Sequence, residues 1–226
     1  IITLTGTATG VYGLIGNEAT TANQTSAQVM SASNTLDAGT GTGGQSVSIT
    51  GTASGGNAAD TFGNYASGGF RAISALVDIN HNVLTSDSTA TSDSLIIQAF
   101  AFGGNAGAMP WDDSNNVTTG GNVADGLISK AISAQSLVDN NDLSGGIAGA
   151  FLGIDAEATG GNAGPNHSLY PNQALNDAVA ISAQVTVNHN HMDGNGVLGS
   201  DNMVIVATAT GGNVGDGGFT ANVSGF

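Results

Sequence analysis

Ser182-Ala183-Gln184-Val185-Thr186-Val187-Asn188-His189-Asn190-His191-Met192 orders the rest of the chain, because three other stretches match it. They are Ser26-Ala27-Gln28 with Asn34 and Leu36, Ser74-Ala75-Leu76 with Asn82 and Leu84, and Ser133-Ala134-Gln135 with Asn141 and Leu143. In each, Asn stands eight positions after the Ser and Leu or Met ten positions after it, without a gap. Recurrence at fixed spacing marks a repeated supersecondary unit rather than a catalytic motif. This unit, B, alternates. Its apolar positions are Ile181, Ala183, Val185, Val187, then Ile73, Ala75, Val77, Ile79, then Ile132, Ala134, Ser136, Val138. They thin to Thr25, Ala27, Val29, Ser31 in the first copy. Period 2 is the mark of a strand with one buried face.

Between the B units lies a second unit, A, ending in Gly55-Gly56-Asn57, Gly103-Gly104-Asn105, Gly160-Gly161-Asn162 and Gly211-Gly212-Asn213, with a fifth copy ending at Gly10. Counting back by twos gives Ile2, Leu4, Gly6, Ala8; Val47, Ile49, Gly51, Ala53; Leu95, Ile97, Ala99, Ala101; Leu152, Ile154, Ala156, Ala158; and Met203, Ile205, Ala207, Ala209. Each set runs large, large, small, small, so every A strand meets a space that narrows toward its Gly end. The opposite face is hydroxylic in the first two copies (Thr3, Thr5, Thr7, Thr9; Ser48, Thr50, Thr52, Ser54) and carries Phe100 and Phe102 in the third.

The order is therefore A-B four times and a final A, with Asn/Asp/Gly-rich turns from B to A and longer, irregular links from A to B. No helical period of useful length interrupts it. The expectation is one all-β domain, an antiparallel sandwich or barrel-like roll of about nine strands. Its internal repeats would fall near 1–45, 46–94, 95–148 and 149–202, with a half repeat over 203–226. In an up-and-down meander of odd strand number the first and last strands run the same way and cannot close the sheet. Residues 1–9 hold no charge and no Pro, the usual guards of an edge strand. The interface strands expected from this are those of Ile2, Leu4, Gly6, Ala8 and of Met203, Ile205, Ala207, Ala209, joining copies by β-strand addition or donor-strand exchange.

Composition bounds the function. The chain has 226 residues, 2 Lys+Arg against 17 Asp+Glu, a formal charge of -15 and 0 Cys. Such a surface repels phosphate backbones and anionic lipid, which argues against nucleic acid as a partner. The lack of Cys removes disulfide and thiolate-metal chemistry. No apolar run is long enough to insert in a membrane. An opening on Ile1-Ile2-Thr3-Leu4 suits a terminus left by a processed leader, so the expected location is extracellular or the cell surface.

The candidate sites are few. Asp193, Asn195, Ser200 and Asp201, and Asp112 and Asp113 with Ser114 to Asn116, are oxygen-rich loops suited to Ca²⁺; Asp78, Asn80 and Asn82 follow the start of a calcium loop without its closing acid. His189 and His191, two apart, have the spacing to hold a transition metal, though Ser33 and Asn140 fill the slot of His189 in other copies. Asn23, Asn116, Asn166 and Asn222 open glycosylation sequons, and Trp111, Tyr170, Tyr65 and Tyr12 lie in links where they could stack on glycans. The Gly-Gly-Asn turns lack the Lys of a phosphate loop. Glu18 and Glu157 do not form a glycosidase pair, and no nucleophile elbow is present, so no enzyme is expected. The reading is a self-assembling structural subunit of an extracellular filament or matrix. Its alternatives are a monomeric adhesin or carbohydrate-binding module, with or without Ca²⁺, and an ice-binding surface on the Thr rows.

Overall fold

A computed structural model describes residues 1–10, 17–42, 44–57, 64–87, 93–105, 122–145, 150–161, 172–194 and 202–212. The chain winds in coils of four strands. The first coil is β1 (Ile2–Thr9), β2 (Glu18–Ala19), β3 (Gln24–Ala32) and β4 (Thr35–Asp37). The second is β5 (Ser46–Ser54), β6 (Asn64–Ser67), β7 (Arg71–Asn80) and β8 (Val83–Thr85). The third is β9 (Asp93–Phe102), β10 (Asn122–Asp125), β11 (Lys130–Asp139) and β12 (Asp142–Ser144). The fourth is β13 (Ala150–Thr159), β14 (Asn172–Leu175), β15 (Val179–Asn188) and β16 (His191–Asp193), and β17 (Asn202–Thr210) begins a fifth.

Every strand pairs with its counterpart one coil away, and every pairing is parallel. The result is four parallel sheets, one of five strands (β1-β5-β9-β13-β17) and three of four. This is a parallel β-solenoid. The expected antiparallel sandwich or roll of about nine strands is wrong. Period-2 alternation is the same in both arrangements, so it reports a buried face and says nothing of which strand lies beside which. Reading the A and B units as neighbours in a meander was the error. Each A strand is bonded to the next A strand, and the three strands between them make the long crossover that parallel pairing requires.

The repeat columns are the register. Ile2, Val47, Leu95, Leu152 and Met203 are consecutive partners, as are Leu4, Ile49, Ile97, Ile154 and Ile205. Equal side chains stacked at one rung bury the same volume in every coil. Val47, Leu95, Leu152, Ile49, Ile97 and Ile154 are at most 1% exposed, facing Val77, Ile79 and Val138 of the B strands and Leu84 and Leu143 of β8 and β12. Each such side chain contributes roughly 1.5–3 kcal/mol. The buried residues of a second interior cluster are all alanine (Ala19, Ala66, Ala72, Ala124, Ala131), with Phe70 packed against them, so the larger cluster supplies most of the driving force.

What separates the two clusters is a constriction. The ladder of the B sheet passes over Ser26, Ser74, Ser133 and Ser182, where each strand bends. The bend drives the Ser against the Gly pair of the facing strand. A Cβ on Gly55, Gly103 or Gly160 would overlap the Oγ of Ser74, Ser133 or Ser182, and one on Gly104 would overlap the Gly56 carbonyl oxygen. The Ser hydroxyls accept backbone N–H bonds from the next coil: Gly56 to Ser26 at 3.1 Å, Gly104 to Ser74 at 3.1 Å, Gly161 to Ser133 at 2.9 Å and Gly212 to Ser182 at 2.9 Å. The taper of the A unit ends here.

Beyond the bend each B strand stops at a residue in the left-handed region, Ser33 (φ 57), His81 (φ 53), Asn140 (φ 53) or His189 (φ 48). The Asn that follows turns inward and stacks. Asn34 Nδ2 donates to Asn82 Oδ1 at 2.8 Å, Asn82 to Asn141 at 2.9 Å, and Asn141 to Asn190 at 2.8 Å. Each Oδ1 also accepts the backbone N–H of the preceding Asn in the column. Corner amides that strands cannot pair are thereby satisfied inside the coil, as buried polar groups must be.

Candidate functional site

The margins of the five-stranded sheet are the most distinctive surface. Among the described residues β1 and β17 each pair on one side only. The inward column that is sealed in the middle coils opens at both margins: Leu4 is 38% exposed, Met203 50% and Ile205 56%. Ala207 is exposed as well, while Ile2, Gly6, Ala8 and Ala209 are half-buried, with Ile2, Ala8 and Ala209 packed on the main cluster. At the β1 margin the mouth of the coil holds a recess of about 320 Å³, lined by Leu4, Gly6, Val29, Ser31, Asn34 and Ile49 among others. One margin thus offers a recess of mixed polar and apolar lining, and the other the exposed side chains of Met203 and Ile205.

The Asn column is polar in the same direction. Asn190 gives its Nδ2 to the Val138 carbonyl at 2.9 Å and lies at the open end where a further Oδ1 would continue the run. Asn34, at the other end, has only its donors used within the column.

Of the predicted metal residues, His189, His191 and Asp193 lie within the described residues. His189 Nδ1 lies 3.2 Å from Asp139 Oδ1 and His191 Nδ1 lies 3.1 Å from Asp142 Oδ1, each imidazole on its own carboxylate and both exposed. His189 owes its place to the left-handed corner it shares with His81. Asp193 closes β16. Asn195, Asp201, Asp112 and Asp113 lie outside the described residues, as do Ser200, Trp111, Tyr170 and Tyr12. Asn82, read with Asp78 and Asn80 as a calcium-type run, is consumed by the interior ladder, and Asn80 Nδ2 donates to Asp78 Oδ1 at 2.7 Å. Among the described residues no three His, Cys, Asp or Glu side chains are grouped to hold a metal ion.

On the outer face of the five-stranded sheet the hydroxyl rows stand in register, with Thr3 beside Ser48 and Thr5 beside Thr50. They end at the third coil, where Ile96, Gln98, Phe100 and Phe102 occupy the same columns. Phe102 is 40% exposed and Phe151 39%.

One recurrent motif escaped the repeat reading: Asn17-Glu18-Ala19, Asn64-Tyr65-Ala66, Asn122-Val123-Ala124 and Asn172-Gln173-Ala174. It builds the sheet β2-β6-β10-β14, and Ala19, Ala66 and Ala124 of it join Ala72 and Ala131 in the small interior cluster. Asn17 Nδ2 donates to Asn64 Oδ1 at 3.0 Å, a polar bond between the first two coils.

The fold defines a class, a parallel β-solenoid, whose outermost described strands in the five-stranded sheet pair on one side only. Compared with known protein families, with curated proteins and with solved structures, the chain matches none of them.

Proposed function

We propose that the chain is a structural module of an extracellular assembly, associating end to end with copies of itself by parallel β-strand addition. The observation that carries this is the match between margins: Met203, Ile205, Ala207, Ala209 on one and Ile2, Leu4, Gly6, Ala8 on the other occupy the same columns in the same order and sense. A second copy meets one margin with the residue sizes that a further coil would present.

Magnitudes say which interaction must dominate. Covering the exposed parts of Leu4, Met203 and Ile205 yields on the order of 3 kcal/mol, below the roughly 4–15 kcal/mol cost of association. The β1 edge is 8 residues long. Its ladder bonds, at about 0.5–1.5 kcal/mol each, add a comparable or larger sum. Backbone pairing therefore drives the contact and the apolar columns set its register.

Sedimentation velocity over a concentration series, with negative-stain microscopy of the same samples, tests the proposal. Concentration-dependent rods are expected from the unaltered chain, and none from Ile205→Asp or Leu4→Asp, whose sites are exposed enough for each variant to fold. A monomer at every concentration overturns the reading in favour of a solitary binding module. So does assembly that both substitutions leave untouched.

A further inference from the structure

The bend that narrows the interior folds the outer surface the opposite way. Ile73 and Leu76 of β7, three apart, join Ile132 in one buried cluster, with Leu137 and Ile181 packed on it. The sequence had placed Ile73 on the same face as Ala75 and Val77; the bend at Ser74 sends it outward instead. Arg71 donates from Nη2 to Gln135 Oε1, and Gln135 is the register partner of Leu76. A straight strand would separate positions 71 and 76 by about 16 Å, so this contact spans a concave groove.

At one lip of the groove sit the only basic residues of the chain, 2 against 17 Asp+Glu. Arg71 and Lys130 are partners across adjacent coils. Their neighbours Ala72 and Ala131 are buried in the alanine cluster, so both cations project outward. Neither forms an ion pair with a carboxylate among the described residues. Arg71 spends its backbone N–H on Asn23 Oδ1 at 2.8 Å, and its Nε is buried with no acceptor. Gln135 is fixed in turn by donating to Gln184 Oε1 at 3.0 Å. Burial lowers the pKa of Arg71 from its ordinary value, a sign that water does not compensate the charge fully. A buried donor without a partner is costly and calls for an acceptor.

We propose that Arg71 and Lys130 form an oxyanion site, taking a carboxylate or sulfate group carried by a small or otherwise neutral ligand that lies along the groove. The guanidinium offers the Nη protons that Gln135 leaves unused, and the ammonium adds a point charge from the next coil. Polyanions are disfavoured by the formal charge of -15 around the site. The site is independent of end-to-end association.

The chain has a single arginine, so one Nε–Hε signal in a ¹H–¹⁵N spectrum reports on the site alone. It is followed while the full chain and its Lys130→Gln variant are titrated with sodium sulfate, with sodium glucuronate, and with sodium chloride at matched ionic strength. A saturable shift with sulfate or glucuronate, at least tenfold weaker in Lys130→Gln, is the expected result. Tighter binding of glucuronate assigns the site to a sugar-borne carboxylate, and tighter binding of sulfate to a free oxyanion. A shift no different from that in chloride overturns the proposal, as does one unchanged in Lys130→Gln, whose exposed side chain is not needed for folding.

Discussion

Asn141 is the residue on which the interior ladder can be tested most sharply. It is 0% exposed. Its Oδ1 accepts the backbone N–H of Asn82 at 3.0 Å and the Asn82 Nδ2 at 2.9 Å. Its Nδ2 donates to the carbonyls of Ile79 and Asp139, each at 3.1 Å, and to Asn190 Oδ1 at 2.8 Å. Asn141→Ala removes all of these. Asn82 Nδ2 keeps the carbonyls of Ser31 and Asn80, and Asn190 Oδ1 keeps the backbone N–H of Asn141. The groups left with the largest loss are the Asn82 N–H and the Ile79 carbonyl. At roughly 1–3 kcal/mol for each stranded group, the cost is about 4 kcal/mol. For a chain of this size that lowers the melting temperature by around 10 °C.

Asn34→Ala is the control, because the column has a direction. Asn34 is half-buried, and its loss leaves Asn82 Oδ1 still accepting the backbone N–H of residue 34 at 3.1 Å. The expected cost is about 1 kcal/mol. Urea denaturation of both variants followed by far-ultraviolet circular dichroism gives the two numbers. Equal costs, or a cost below about 1 kcal/mol for Asn141→Ala, would refute the claim that this column satisfies the coil corners.

Asn141→Asp adds a pH dependence of known sign. A carboxyl buried against the Ile79 and Asp139 carbonyls is held protonated, its pKa raised above the unfolded value of about 3.9, so the variant matches the parent best in acid and falls behind as pH rises; a constant difference from pH 3.5 to 7 would count against this. Gly104→Ala forces a Cβ onto the Gly56 carbonyl, a backbone atom that cannot turn aside, and is expected to lower stability by at least about 3 kcal/mol. Gly6→Ala meets Val29 Cγ1 at 2.8 Å, a side chain at an open margin, and costs about 1 kcal/mol or less by the same urea titration. Ile128 has φ 61 and is 69% exposed, so Ile128→Gly releases backbone strain with little burial lost and raises the melting temperature by a few degrees.

Much of the register was legible in the sequence, and the parallel sense of the pairing was not. Counting back from each Gly pair put Val47, Leu95 and Leu152 in one column, which is how the sheet stacks them. Counting from each Ser put Asn34, Asn82, Asn141 and Asn190 together. Their role was hidden, because Asn beside Gly and Asp reads as turn chemistry, and only a stacked partner one coil away makes an inward Asn affordable. The strands of two to four residues were too short to show alternation. For β2, β6, β10 and β14 the signal was the recurrence of Asn-x-Ala, diluted by the irregular links that precede it. The spacing of His189 and His191 likewise says nothing of the Asp139 and Asp142 carboxylates that the neighbouring coil places beside them.

The Ser bend joins these observations into one cause. Pushed inward, it requires glycine on the facing strand, which explains why Gly pairs recur where the earlier A residues are already small. It divides the interior, so that one part is filled mainly by alanine, with Phe70 packed against it and the Asn17 and Asn64 amides bonded across the first two coils, while the Val, Ile and Leu columns carry the other part. Pushed inward, it also makes the outside concave, and a concavity on a solenoid repeats from coil to coil as a continuous groove. The repeat sequence keeps that groove apolar at Ile73, Ile132 and Ile181 but places cations at its lip in only two coils, Arg71 and Lys130. Repetition accounts for the apolar floor; it does not account for a charge pair confined to two rungs of a chain otherwise almost without cations.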